Sequence, residues 1–327
     1  METRTLTGPD YSAYDAFVTA HPQGSVFQSR DWMRYQFTAF GRGGEIIVVT
    51  EEGRILCSAL VVYHSLPFGK SYAYVPRGPL FSSDKTANGM LFNALHREAE
   101  RGNGIFVLMD PLILGTEGWE SVTPRKKLRS ATSHQPNTTL VIDLLPDEGT
   151  ILAQMKEKGR YNIRLAVKKG VTVRQGRVDE LYPILVETAQ RDGFAIHPQE
   201  VYEAMLETFG NDAGLLVAEA NGEVLCGGIF LFTGQSGIYY YGASRSEKRE
   251  LMAPYLLQWE AMRLAKDHGC TQYDLLGIAD PGVENHPLSG VTEFKAKFGG
   301  EVRQYAGARK MVVNRLWNTL YELRRKF

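Results

Sequence analysis

The chain has 327 residues, enough for two domains with buried cores. Its 37 basic residues balance 37 acidic ones, so no global field draws it to nucleic acid or membrane, and any hold on an anion must come from local clusters. Three scattered cysteines, Cys57, Cys226 and Cys270, exclude a disulfide framework or a zinc site and are expected as small apolar residues in a reducing cytoplasm.

The first residues contain no apolar core with basic flanks, so no signal peptide is expected, and no run approaches the ~20 apolar residues of a membrane span. Residues 45–66 read as two strands around a Glu52-Gly53 turn, with β-branched residues dense in IIVVT and LVVYH. An aromatic strand follows at 72–79 (YAYVPRGP). Residues 85–101 carry Ala87, Met90, Leu91, Leu95 and Ala99 near helical spacing. FVLMDP at 106–111 is a strand stopped by Pro111. Residues 115–135 are polar, basic and turn-rich, an irregular connection with a short helix, and TTLVIDL at 138–144 reads as a strand crossing into a second unit.

Residues 147–170 are the most helix-like stretch, expected as one helix capped by Asp147 and stopped by Gly170. Along it Lys156, Arg160, Arg164 and Lys168 recur every four residues, and 156–169 hold six basic residues against one acid. An ordinary exposed helix mixes signs, so this stripe is a candidate anion surface. Two helices are expected at 179–191 and 198–209, four strands across 213–241, a helix at 253–268 and a strand at 273–277 (YDLLG). Residues 303–313 read as strand and 314–327 as a closing amphipathic helix with Leu316, Trp317, Leu320 and Leu323. From Lys295 to Phe327 there are nine basic residues against two acids, a second candidate surface for a polyanion.

Part of this order occurs twice. Residues 51–60 (EEGRILCSAL) and 220–229 (ANGEVLCGGI) place a turn glycine, an apolar pair and a cysteine at one offset. Each is followed by an aromatic strand (YYYGAS at 239–244 in the second copy), a helix-length segment and an apolar strand. One folding unit therefore occurs in duplicate, with a ligand cleft expected between the copies. An α/β (α+β) unit of this order suggests the GCN5-related N-acyltransferase (GNAT) fold. Such folds hold the coenzyme A pyrophosphate on a Gly-rich turn opening a helix, where backbone N–H groups reach the phosphates. In RELMAP at 249–254, Met252 stands where glycine is needed and Pro254 removes a donor, which argues against an acyl-CoA substrate.

Seven stretches together resemble the FemABX family, bacterial aminoacyltransferases that build peptidoglycan cross-bridges from aminoacyl-tRNA. They are HPQGSVFQSRDW (21–32), YAYVPRGPL (72–80), FVLMDP (106–111), GRYNIRLAVKKGV (159–171), RDGFAIHPQEVY (191–202), YDLLGI (273–278) and EFKAKFGGE (293–301), in family order along nearly the whole chain. The resemblance implies two tandem GNAT-like domains, 1–145 and 146–313, the first completed by the helix 314–327. No segment has the length or heptads of the coiled-coil arm some relatives carry. The implied reaction moves an amino acid from aminoacyl-tRNA to the side-chain amine of a peptidoglycan stem peptide by direct aminolysis. No cofactor or metal is expected beyond the aminoacyl-tRNA co-substrate. The implied location is the bacterial cytoplasm, peripheral to the inner membrane face.

Such a reaction must deprotonate an amine of pKa ~10.4 and must stabilise an oxyanion. By the resemblance, Lys295 stabilises that charge, with Phe294 beside it in the substrate site, and Asp110 accepts the proton or orients the amine. Tyr241 contacts the sugar-peptide acceptor. Arg77 holds its own turn or a phosphate, and Trp32 packs the first domain. Relatives that use the UDP-linked precursor grip its diphosphate with two basic residues; Gln36 and His197 stand at those positions, with Arg34 nearby as a replacement. That departure favours the lipid-linked precursor. Lys156, Arg160, Arg164 and Lys168 are expected to meet tRNA. Two other readings stay open: an acyl-CoA-dependent GNAT N-acyltransferase, and a non-catalytic protein that binds anionic cell-wall precursor or RNA.

Overall fold

The computed structural model describes residues 1–115, 118–123, 128–283 and 286–324. Both hairpins form on paired left-handed residues, Glu52 and Gly53 (φ 49° and 80°), then Asn221 and Gly222 (φ 52° and 77°). Positive φ at both turn positions matches the twist of the flanking strands, which is why such turns close tight hairpins. In chain order the strands are β1 (Glu2–Thr5), β2 (Gly44–Glu51), β3 (Arg54–Leu66), β4 (Lys70–Val75), β5 (Gly104–Met109), β6 (Arg129–Ser130) and β7 (Thr138–Asp143). There follow β8 (Thr172–Gln175), β9 (Ala213–Ala220), β10 (Glu223–Thr233), β11 (Ser236–Ser244), β12 (Gln272–Gly277), β13 (Glu301–Gln304) and β14 (Arg309–Val312).

They build two seven-stranded sheets, ordered β1-β2-β3-β4-β5-β14-β6 and β8-β9-β10-β11-β12-β7-β13. The two orders correspond position by position. In each, an antiparallel meander leads through a helix, Lys85–Arg101 or Ala253–Asp267, to a strand parallel to the meander's last one. An antiparallel strand then flanks it, β14 on β5 and β7 on β12. The duplication legible in the sequence is thus a duplication of topology.

The chain divides into Met1–Asn137 with Gln304–Phe327, and Thr138–Arg303. The boundary expected at 145/146 falls at 137/138, because β7 bonds to β12 of the second sheet. Residues 304–313, assigned to the second domain from sequence, go with the first, because β14 bonds to β5. In the first unit Val49, Cys57, Val61 and Val107 pack one sheet face against Leu91 and Leu95 of Lys85–Arg101. The other face, with Tyr72, Phe106 and Leu108, is covered by Trp317 and Tyr321 of the closing helix Arg315–Arg324. In the second unit Ile142, Phe230, Tyr273 and Leu275 pack against Leu257, Ala261 and Met262. Trp32 is buried against Phe27, ring centroids 4.6 Å apart, as expected.

Three elements differ from the sequence reading. The single helix expected at 147–170 is two, Glu148–Gln154 and Glu157–Lys168, with Met155 and Lys156 extended between them. Asp147 does cap the first, accepting from the Thr150 N–H at 3.0 Å. The break receives a distant segment: the Lys156 N–H donates to the Lys297 carbonyl at 3.1 Å. A Cβ on Gly159 would lie 2.3 Å from that same oxygen, so only glycine permits the approach. Next, residues 213–241 form three strands' worth of sheet rather than four, because β10 runs unbroken through Gly227 and Gly228. Finally, 303–313 is split into the end of β13 and β14, which lie in different sheets. Among the described residues the longest helix is Lys85–Arg101, 17 residues, so none is long enough for a coiled-coil arm, and none is long and apolar enough to cross a membrane.

Candidate active site

In the second unit the fold opens a fork. β11 pairs with β12 only from Ser236↔Gln272 to Ile238↔Asp274, yet it continues to Ser244. Ile229 pairs with Tyr241 and Phe230 with Tyr239, so Tyr240 is an inserted bulge residue that bends β11 at this point. On the other side Leu276 is left-handed (φ 55°) and the β12–β7 register shifts between Asp274 and Gly277. Two parallel strands therefore part just after Ile238 and Asp274.

Lys295, the last residue of the helix Ser289–Lys295, fills this fork. Its Nζ donates to the Gly277 carbonyl at 2.7 Å and lies 5.9 Å from the centroid of the Tyr239 ring. Burial pushes its pKa down to about 8, with Asp274 opposing the shift. A lysine ammonium has three donors, so two remain beyond the bond to Gly277. The result is a desolvated cation with donors to spare, the kind of group that stabilises a developing oxyanion. Phe294 beside it is half-buried and packs edge-on against Tyr255 (5.1 Å) and Phe298 (5.3 Å) at the border of the core.

Tyr241 and His197 meet through Tyr202. The Tyr241 ring is 4.8 Å from Tyr202 and that of His197 is 6.5 Å from it. The His197 N–H donates to the Tyr202 hydroxyl at 3.3 Å, and the His197 residue is exposed.

In the first unit Asp110 follows β5 and is buried. One carboxylate oxygen accepts the Arg77 N–H at 2.8 Å; the other accepts the Tyr74 hydroxyl at 2.8 Å and the Gln135 N–H at 3.3 Å. Burial raises its pKa, with the Arg77 guanidinium opposing. Arg77 itself is left-handed (φ 49°), a strained backbone that the carboxylate holds in place. Its guanidinium donates to the Pro136 carbonyl at 2.8 Å and lies 5.0 Å from the Tyr305 ring. Gln28 pins the same turn from below, donating to the Pro76 carbonyl at 2.7 Å and accepting the Leu60 N–H at 2.9 Å. Asp110 and Arg77 thus come together as the anchor of a turn.

Gln36 is buried, and its side-chain oxygen accepts from Arg42 at 3.0 Å. The Arg42 guanidinium lies 4.5 Å from the Phe40 ring, so a positive charge stands beside the position where the sequence shows a neutral residue. Arg34 points elsewhere, exposed and paired with Asp31 at 2.9 Å. Arg42 was not singled out from sequence, and nothing local in GRGG marks it. His64, another unanticipated residue, stacks on Tyr72 at 4.6 Å, with its Nε2 buried and without a hydrogen-bond partner among the described residues. Burial, with Arg42 and His134 nearby, pushes its pKa down to about 3, so it is neutral.

The basic stripe is interrupted. Arg160 turns back onto the carbonyls of Ala153 and Met155, closing the end of the helix Glu148–Gln154. Lys156 is the extended residue before the next helix. Arg164 and Lys168 remain exposed on Glu157–Lys168, and exposed Tyr161 shares their face at i, i+3 and i+7. Of the terminal basic excess, residues 325–327 lie outside the described residues. Met252, left-handed at the start of Ala253–Asp267, packs against the second core.

The chain matches the FemAB family over residues 10–117, 125–223 and 220–326. It is 24% identical over 392 aligned positions to the lipid II:glycine glycyltransferase of Staphylococcus saprophyticus, covering 96% of this chain and 94% of that protein. To the protein of the same name from Staphylococcus aureus strain USA300 it is 21% identical over 406 positions, covering 99% and 95%. Among solved structures it is similar to FemX, with a TM-score of 0.85 at 21% identity over 99% of both chains. It is also similar to a tandem GNAT protein from the clavulanic acid biosynthesis pathway, with a TM-score of 0.56 at 14% identity over 96% and 98%. The fold is a tandem of two GNAT-like units.

Proposed function

The chain belongs to the FemAB family, and from that membership we propose that it transfers an amino acid from aminoacyl-tRNA to the side-chain amine of a lipid-linked peptidoglycan precursor, building a cross-bridge. The observation that carries the reading is Lys295, a buried amine with two unspent donors in the fork between β11 and β12. The neutral acceptor amine attacks the ester carbonyl; a C–N bond forms, and the carbonyl oxygen takes the negative charge. Lys295 stabilises that charge, the C–O bond to the tRNA ribose breaks, and the ribose oxygen takes the proton the amine loses. Because the ester is already activated, this aminolysis needs no covalent enzyme intermediate and no metal.

Asp110 serves in this scheme as a positioning group for the Arg77 turn. Exposed Arg164, Lys168 and Tyr161 supply charge and an aromatic face for RNA. The use of aminoacyl-tRNA places the reaction in the cytoplasm. For a lipid-linked acceptor speak the staphylococcal relatives, both lipid II:glycine glycyltransferases.

The test is incubation with a mixture of charged tRNAs and lipid-linked precursor in micelles, read by product mass. A mass gain of one or more amino-acid residues that vanishes without charged tRNA is expected. A gain that requires acyl-CoA, or tight precursor binding with no gain, would replace the proposal by one of its rivals. Single-turnover transfer by Lys295→Met should fall ~100-fold or more, the usual effect of losing one oxyanion donor. A markedly higher kcat/KM with the UDP-linked precursor would overturn the lipid-linked assignment.

A further inference from the structure

The closing helix Arg315–Arg324 has two apolar faces, and only one is used by the fold. Its inner face sets Trp317 and Tyr321 against the first sheet, and buried Asn318 and half-exposed Glu322 both meet Lys310. On the opposite side Leu316, Leu320 and Leu323 are 69%, 47% and 50% exposed. At 3.6 residues per turn these three leucines lie within about 60° of arc. Exposed Arg315 and Arg324 fall on either flank of that arc, roughly 100° and 80° from Leu316. The helix has a single acid, Glu322, whose half-exposed carboxylate is paired with Lys310, so the outer face keeps a positive balance.

Phe68 extends the patch. It sits at the tip of the β3–β4 connection, 82% exposed, in a left-handed conformation (φ 61°) that bulky residues avoid. Its ring is 5.9 Å from Trp317, and Lys70 Nζ lies 5.2 Å from the same indole. Neither the strain nor the exposure of Phe68 helps the fold. Phe68 and Lys70 thus adjoin the helix at Trp317, while the three leucines stand between Arg315 and Arg324.

We propose that this face, Phe68 with Leu316, Leu320 and Leu323, docks on an anionic lipid bilayer. Apolar side chains at the centre of a basic rim fit a surface whose interior is hydrocarbon and whose headgroups are negative. An apolar partner protein would match the leucines and leave the three cations unanswered. The docking requires no step of the transfer reaction, so it is tested without precursor or tRNA.

The experiment is flotation of the full chain with vesicles of equal parts phosphatidylcholine and phosphatidylglycerol, against phosphatidylcholine alone. Wild type should partition onto the anionic vesicles, and release should follow added salt. Arg315→Glu with Arg324→Glu should weaken partitioning about tenfold or more. Phe68→Ser with Leu320→Ser should weaken it by a similar factor while leaving the melting temperature within a few degrees, because both side chains are exposed. Equal binding of variants and wild type, or no binding of wild type to anionic vesicles, overturns the proposal. So does a vesicle-free dimer that Leu316→Ser with Leu320→Ser converts to monomer, since the leucines would then be covered by a second copy.

Discussion

Lys295 is a residue whose role can be read from pH. Its pKa drops from 10.5 to about 8 on folding. Between those values the unfolded chain holds a proton that the folded chain has released, so stability rises with pH across that window. Below about 8 both states are protonated and the burial penalty is present in full. The two values differ by an amount worth about 3 kcal/mol. Urea unfolding at pH 7 and pH 10 should therefore show a rise in wild type that Lys295→Met lacks. Turnover under saturating substrate should also decline above about pH 8 as the cation is lost; a rate that keeps climbing would cast Lys295 as a base. Asp110 makes the opposite case. Asp110→Asn turns one of the two accepting oxygens into an NH2 donor, leaves one or two of the three donors unpaired, and should lower unfolding free energy by ~2–4 kcal/mol, with turnover per folded molecule nearly kept. A stable variant with turnover down ~100-fold would make Asp110 the proton acceptor after all.

Among elements, the broken helix over 148–168 decides which cations are available. Arg160 closes the end of Glu148–Gln154, whereas Arg164 and Lys168 stand in solvent. Reversing Arg164 and Lys168 to Glu should weaken tRNA binding and reduce the slope of log affinity against log salt by about 1.5, roughly 0.7–0.9 per lost phosphate contact. Arg160→Met should instead lower the melting temperature and leave that slope near its wild-type value. Filter binding across a salt series, paired with thermal melts, separates the two. An unchanged slope in the double reversal would move the tRNA surface off this helix.

For the whole molecule, connectivity predicts which pieces fold. The second unit is continuous in sequence, Thr138–Arg303, and holds its own core. A fragment of residues 138–304 should melt as one cooperative transition. Residues 1–137 alone lack β14 beside β5 and the helix that covers Tyr72, Phe106 and Leu108. That fragment should show no cooperative melt, and joining residues 304–327 to it through a flexible linker should restore one. A cooperative melt of 1–137 by itself would mean that the closing helix is an ornament to the first core.

The hairpin turns at Glu52-Gly53 and Asn221-Gly222, the helix Lys85–Arg101 and the duplicated order of elements were legible in the sequence, because turn chemistry and hydrophobic period are set by a few neighbouring residues. The rest was fixed by contacts made only on folding, most of them with partners far along the chain. The 147–170 helix breaks at Met155 and Lys156 to admit the Lys297 carbonyl, and 303–313 splits because each part finds its strand partner in a different sheet. Gln36 reads as a lost charge until folding brings Arg42 to it. The three donors that converge on Asp110 come from Tyr74, Arg77 and Gln135, 25 to 36 residues away in sequence. The unusual amine of Lys295 is made by desolvation in a fork between two strands, one ending 18 residues earlier and the other more than 50. Local propensity chose the elements; desolvation and pairing across the tertiary structure decided what their side chains can do, since both depend on contacts summed over distant segments.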